Sequence, residues 1–148
     1  MPILNYTTQI DVYKSIGEIQ KILGDHGVFK QSIIYDSGKT PSGLTFTILF
    51  QGEEIDFSLP CKIDWVLWRL KNSRIPSKLQ TKDQAYRVAW RIIKDWVEAQ
   101  MALIESELAD LEEVFFPYMV SNNGAQTMFE SFRDRNFLLP SWEHHEKH

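Results

Sequence analysis

Residues 44–59 read LTFTILFQGEEIDFSL and carry a clear strand signal. Every second residue of Leu44–Phe50 is large and apolar, and the pattern resumes over residues 55–59 after a turn at residues 51–54. A period of two is typical of a strand with one buried face, and a short polar turn between two such runs predicts a hairpin. Pro60 ends the second strand because its nitrogen cannot donate to a ladder. The pattern indicates a small antiparallel sheet.

The residues before this hairpin predict two further strands and one helix. Weak alternation indicates a strand over Asn5–Val12, and a second strand is predicted over Val28–Asp36. Between them, Ser15 and Glu18 have the spacing of a capping box, which opens a helix of about two turns. We therefore expect residues 1–60 to form an antiparallel sheet of three or four strands with one short helix.

Helical periodicity replaces alternation after residue 60. A capping box at Thr81–Gln84 opens an apolar periodic segment that reaches Phe116. As one helix it would be about 50 Å long, more than the ~40 Å diameter of a compact chain of this size, so it must break near Ser106 or project. The prediction is an α+β fold in a single domain of residues 1–140, with a helical half at residues 61–140 and a mobile polar tail at residues 141–148.

The periodic segment carries two apolar stripes about 100° apart on a helix. One stripe suffices to dock a helix on a sheet, so the second indicates another partner, either neighbouring helices or a second copy of the chain. We expect a homo-oligomer. The stripes are Ala85, Val88, Ala89, Ile92, Trp96, Ala99 and Leu103, and then Ile93, Val97, Met101, Ile104, Leu108, Leu111 and Phe115.

Composition and motifs exclude several classes of protein. The 148 residues are 43% hydrophobic and 24% charged, which is typical of one globular domain. We see no apolar run near the ~18 residues of a membrane span, no signal peptide, and only one cysteine, Cys61. Phosphate-binding loops and catalytic motifs are absent from the sequence. We expect a cytoplasmic protein that is not an enzyme and has no cofactor.

Charge is segregated along the chain. Residues 62–94 hold nine Lys or Arg and two Asp or Glu, whereas residues 95–148 hold three and eleven. From Trp65 to Lys82 there is no acid at all. A local cluster of cations attracts anions even when the net charge is −4, because the field is set over a Debye length of ~8–10 Å.

The basic block is also aromatic, and we expect the contact surface there. Trp65 and Trp68 fall on the face of their helix opposite the apolar stripe of Ile63 and Leu70, with Arg69 beside them. They could form a stacking platform for a base or nucleotide, or be covered by the third helix or a second subunit. Four cations with few acidic neighbours extend this surface, namely Lys71, Arg74, Lys78 and Lys82.

The third helix adds a second candidate row. Arg87, Arg91 and Lys94 follow one polar face, and Trp90 lies at its border with an apolar stripe. The row could hold phosphates, or its cations could pair within the helix as Asp83–Arg87, Arg91–Asp95 and Lys94–Glu98.

Other titratable residues favour structural roles. His26 is expected to cap a helix C-terminus, where a cation is stabilised, rather than to act as a base. Cys61 is expected to be a buried thiol. The three carboxylates Glu53, Glu54 and Asp56 indicate a solvated turn rather than a magnesium site.

Several short strings resemble a family of small uncharacterised proteins from tailed bacteriophages and prophages. The strings are Asn5-Tyr-Thr-Thr8, Ile16-Gly-Glu-Ile19, Leu59-Pro60, Arg87-Val-Ala-Trp-Arg91, Lys94-Asp-Trp96, Glu98-Ala-Gln100, Glu113-Val-Phe115 and Pro117-Tyr118. The resemblance covers most of the chain up to Pro140 and implies a phage gene expressed in a bacterial cytoplasm. It names no active site.

The resemblance and the residues together give three expectations for function. The favoured one is a non-enzymatic binder that antagonises a host defence system, by occluding a nucleic-acid-handling complex or sequestering a nucleotide signal. The alternative is an accessory single-strand-binding protein of phage replication or recombination, which would use the same Trp and Arg residues. The third is an enzyme acting on nucleotides. None of the three involves a membrane.

Overall fold

A computed structural model describes residues 1–36, 38–121, 124 and 126–137 of the chain. It has an α+β fold, as predicted. The predicted tail at residues 141–148 lies outside the described part. In chain order the elements are α1 (Val12–Asp25), β1 (Lys30–Tyr35), β2 (Pro41–Phe50), β3 (Glu53–Pro60), α2 (Asp64–Lys71), α3 (Lys82–Glu105), α4 (Leu111–Val114) and α5 (Met128–Asp134), with short 3-10 helices at Ser77–Leu79 and Phe116–Tyr118.

The sheet is antiparallel with strand order β1-β2-β3. The predicted hairpin forms with a two-residue turn, in which Gln51 and Gly52 have φ of 51° and 83°. Positive φ at both positions matches the turn to the right-handed twist of the strands. The register places Phe46 opposite Phe57, and their stacked rings lie 5.0 Å apart under the edge of the Phe115 ring.

The predicted first strand is wrong. Residues 4–7 form a turn, and α1 begins at Val12 with Asp11 as its N-cap, so Ser15 and Glu18 lie inside the helix and form no capping box. The buried Gln84 of α3 donates its side-chain amide to the carbonyls of Tyr6 and Thr8, both at 2.9 Å. This segment therefore finds hydrogen-bond partners on a helix instead of in a sheet.

The predicted helix to Phe116 is shorter than expected. α3 has 24 residues and ends at Glu105, and Ser106 is its C-cap, where a break was expected. Both stripes are largely covered within the chain, as Val88, Ala89, Val97 and Met101 are buried. Helix length therefore no longer argues for a second copy, and the homo-oligomer stays a prediction. Among the described residues, no helix is both long and apolar enough to cross a membrane.

His26 is the C-cap of α1 and ties that helix to the end of α3. Its Nδ1 lies 2.7 Å from the Ile22 carbonyl oxygen, and its Nε2 lies 2.8 Å from Oε1 of Glu105. Only the protonated ring can donate to both acceptors. The hydrogen bond to Ile22, opposed by burial and supported by Glu105, raises the pKa of His26 above 6.5.

We expect the stabilising effect of His26 to depend on pH. Because the folded pKa is raised, the effect is complete below pH 6.5 and is lost as the pH rises through the folded value. A cation at a helix C-terminus contributes about 0.3–1 kcal/mol. The test is denaturant unfolding of the wild type and of His26→Gln, measured from below pH 6.5 to above the folded pKa. The difference in the free energy of unfolding between the two proteins should shrink as the pH rises. A difference that is constant or grows with pH would contradict the assignment.

Candidate functional site

Two tryptophans stand on the exposed face of α2. Trp65 is 75% exposed and Trp68 is 52% exposed, whereas Leu70 on the opposite side is fully buried. The two rings lie 5.8 Å apart at 71°, in an edge-to-face arrangement. Exposed tryptophans of this kind are enriched at contact surfaces with other molecules. We call Trp65 and Trp68 the Trp pair.

A cationic groove adjoins the Trp pair. Its volume is about 440 Å³, and its lining includes Trp68, Arg69 and Arg74 together with Met1 and Pro2. No described lining residue carries a carboxylate side chain. The Nη2 atom of Arg69 donates to the Met1 carbonyl at 3.2 Å, which leaves the remaining guanidinium donors for other acceptors. We call this hollow the Trp68 groove.

Local hydrogen bonds hold the groove at the start of α3. The side-chain amide of Gln80, two residues before α3, donates to the Leu70 carbonyl at 2.9 Å and to the Ser73 carbonyl at 3.2 Å. Asn72 donates to the Trp68 carbonyl at 2.9 Å and so closes the end of α2. The connector between the two helices is therefore fixed against α2.

The predicted cations do not converge on one site. Lys82 lines a different hollow with Asp36 and Asp64, and Lys78 lines a third with Asp11. Of the predicted cations, only Arg69 and Arg74 line the Trp68 groove. Six of the predicted cations form no ion pair with any residue in the described part of the chain, namely Arg69, Lys71, Arg74, Lys78, Lys82 and Arg87.

Trp90 does not belong to a contact surface, and its predicted placement at a polar border is wrong. The side chain is fully buried, and its indole N–H donates to the Pro41 carbonyl at 3.2 Å. The tryptophan anchors α3 to the start of β2. We therefore leave Trp90 out of the candidate site.

The three predicted cations of α3 all have hydrogen-bond partners within the fold. Nη1 of Arg91 donates to Oε2 of Glu18 at 2.7 Å, so it pairs with α1 instead of with Asp95. Lys94 forms the predicted pair with Glu98 and also approaches Glu18 at 4.0 Å. The third cation, Arg87, donates to Gln84 Oε1 at 2.9 Å. Arg91 and Lys94 are thus paired with acids of the fold and offer little to an external phosphate, whereas Arg87 bonds a neutral amide and keeps its charge.

The structure contains a second groove, which the sequence did not predict. It has a volume of about 460 Å³, and its apolar walls include Val66 of α2, Ile92 and Ile93 of α3 and Phe129 of α5. Its walls come from segments far apart in the chain, so no local pattern marks them. At its rim, hydrogen bonds from Thr127, with smaller contributions from Arg133 and Lys62, lower the pKa of Glu130.

Cys61 and two of the hairpin carboxylates have structural surroundings in the described part of the chain. Cys61 is buried, and burial raises the pKa of its thiol to about 12. Of the three carboxylates around the hairpin, Glu54 pairs with Lys30 at 3.1 Å, and Asp56 accepts a hydrogen bond from Thr47 at 2.6 Å. Within the described ranges, no group of three or more His, Cys, Asp or Glu side chains has an arrangement suited to a metal ion.

Comparison of the chain with known protein families, curated proteins and solved structures found no match.

Proposed function

We propose that this chain is a non-enzymatic binding protein of phage origin that antagonises a host defence system in the bacterial cytoplasm. The Trp pair and the Trp68 groove form its contact surface, and it occludes or sequesters the target. The single observation that carries this proposal is the exposure of two tryptophans beside two arginines that form no ion pair with described residues. Trp and Arg are the residues most enriched among those that dominate binding energy at protein interfaces.

The ring geometry favours occlusion of a protein over tracking of a single strand. Successive bases of a strand stack on aromatic faces that follow the backbone. The rings of Trp65 and Trp68 meet at 71°, so a base that stacks on one ring meets the other edge-on. An L-shaped aromatic surface of this kind suits one projecting side chain or one nucleotide better than a run of bases.

A second candidate function is accessory single-strand binding in phage replication. The observation that favours it is the set of unpaired cations at Lys71, Arg74, Lys78 and Lys82, which could contact phosphates. Strand binding would weaken steeply with salt because counterions are released, whereas binding of a protein through an apolar patch would not. A salt titration of the purified complex separates the two functions.

The test replaces Trp68 with alanine in bacteria that carry defined defence systems. We expect the wild type to raise the plating efficiency of a phage that one of these systems restricts, and Trp68→Ala to lose this effect by at least about tenfold, since an interface hot spot contributes ~2 kcal/mol or more. Because Trp68 is exposed, its replacement should change the free energy of unfolding by less than about 0.5 kcal/mol.

The matched control is Phe50→Ala, which removes another exposed aromatic side chain at the far end of the hairpin. Phe50→Ala should retain the full effect. If the wild type protects phage in none of the defended strains, or if both variants behave alike, the proposed function is wrong.

A further inference from the structure

The two ends of α3 carry opposite charge. Residues 65–82, which lead into its first turn, contain five Lys or Arg and no acid, whereas residues 95–132 contain eight Asp or Glu and no Lys or Arg. A helix is stabilised by acids near its N-terminus and cations near its C-terminus. The distribution here is the reverse, so stabilisation of α3 does not explain it. It instead places cations before the first turn of α3 and acids after its last turn.

The acidic end presents an exposed leucine. Glu107 has φ of 58° just after α3, and the Leu108 N–H donates to the Leu103 carbonyl at 3.0 Å. This hydrogen bond is that of a Schellman motif, in which the residue two positions after the C-cap usually packs against the last turn of the helix. Here Leu108 is 74% exposed, and Glu107, Asp110 and Glu112 lie next to it in the chain. We call Glu107–Glu112 the acidic turn.

We propose that the acidic turn of one copy docks in the Trp68 groove of a second copy. Leu108 then packs on Trp68, and the carboxylates of the turn accept hydrogen bonds from Arg69 and Arg74. Arginine binds carboxylates through two parallel hydrogen bonds, which gives such a contact both strength and a defined direction. This self-association uses the groove that the proposed function assigns to a target, so the two contacts are alternative occupants of it, and its test needs only the purified chain.

The contact cannot form within one chain. Gln80 fixes the groove next to the start of α3, and the acidic turn follows the other end of that helix. The 24 residues of α3 span about 36 Å. The two surfaces differ, so each copy offers one of each, and the contact is head-to-tail. It produces open chains or rings instead of a symmetric dimer.

A second copy fits the groove better than a nucleic acid does. A run of bases stacks poorly beside this groove, because the rings of Trp65 and Trp68 meet at 71°. The acidic turn instead brings carboxylates and one apolar side chain to a groove with two arginines and one tryptophan. The carboxylates then pair with the arginines, and the leucine packs on the tryptophan.

The test uses two charge-neutralised variants and their mixture. Variant one carries Arg69→Gln and Arg74→Gln and so loses the cations of the groove; variant two carries Glu107→Gln and Glu112→Gln and so loses two carboxylates of the turn. Neither pair includes Asp110 or Glu113, which cap α4. We expect sedimentation of the wild type at about 100 µM in low salt to show species larger than one chain, and each variant alone to associate at least about tenfold more weakly.

Mixing gives the decisive result. Variant one keeps its turn and variant two keeps its groove, so an equimolar mixture should form a discrete complex of two chains that grows no further. A control that carries Lys14→Gln and Glu53→Gln, at exposed charges without an ion pair to described residues, should behave as the wild type.

Three outcomes would overturn the proposal: a wild type that stays monomeric, variants that associate as well as the wild type, or a mixture that forms no two-chain complex. A monomeric wild type that binds a single-stranded oligonucleotide through Arg69 and Arg74 would assign the groove to nucleic acid instead. None of these outcomes decides the phage plating test, so the two proposals fail separately.

Discussion

Replacing Trp90 with alanine is expected to destabilise the protein by about 3–5 kcal/mol. The side chain is fully buried, so the replacement leaves a large cavity, and it removes the N–H that bonds the Pro41 carbonyl at 3.2 Å. Denaturant unfolding followed by circular dichroism measures the change. Trp90→Phe loses the hydrogen bond and only part of the ring volume, so it should cost less, about 1–3 kcal/mol.

The matched control for this experiment is Trp68→Ala, which makes the same chemical change on an exposed helix face. We expect the two substitutions to differ by at least about 2 kcal/mol, because only one of them opens a cavity. Equal losses of stability would mean that α2 is covered by another surface, or that Trp90 is not in the core.

Replacing Gln84 with leucine should destabilise the protein by about 2–3 kcal/mol. The side chain is 2% exposed, and its amide group satisfies the carbonyls of Tyr6 and Thr8 while its oxygen accepts from Arg87. Leucine has a similar volume, so the loss isolates the hydrogen bonds. Hydrogen exchange should also become faster in residues 5–10, since they lose their anchor on α3.

Gln100→Leu on the same helix provides the control, because Gln100 is only partly buried. Its replacement should stay within about 0.5 kcal/mol of the wild type. If Gln84→Leu is equally mild, the N-terminal segment is held by contacts other than this amide.

Local periodicity was sufficient wherever an element contacts the core through one face. The β2–β3 hairpin and α2 follow directly from alternation and from the helical period, because each repeats its apolar residues at the spacing of its own backbone. The same reasoning put Trp65 and Trp68 opposite the apolar stripe of α2, and both are exposed. The sequence therefore predicted the aromatic and basic residues of the candidate site, but not that Met1 and Pro2 would help to line it.

Only the tertiary structure decided what lies between distant segments. Residues 5–12 alternate as a strand does, yet a single glutamine of α3 gives their carbonyls better partners. Trp90 lies at the border of a polar face and an apolar stripe, yet it is fully buried and its N–H donates to the Pro41 carbonyl at the start of β2. Arg91 could reach an acid on its own helix or on α1, and it pairs with α1. A period fixes the direction of a side chain, but its partner depends on which other segment the fold brings within hydrogen-bonding distance.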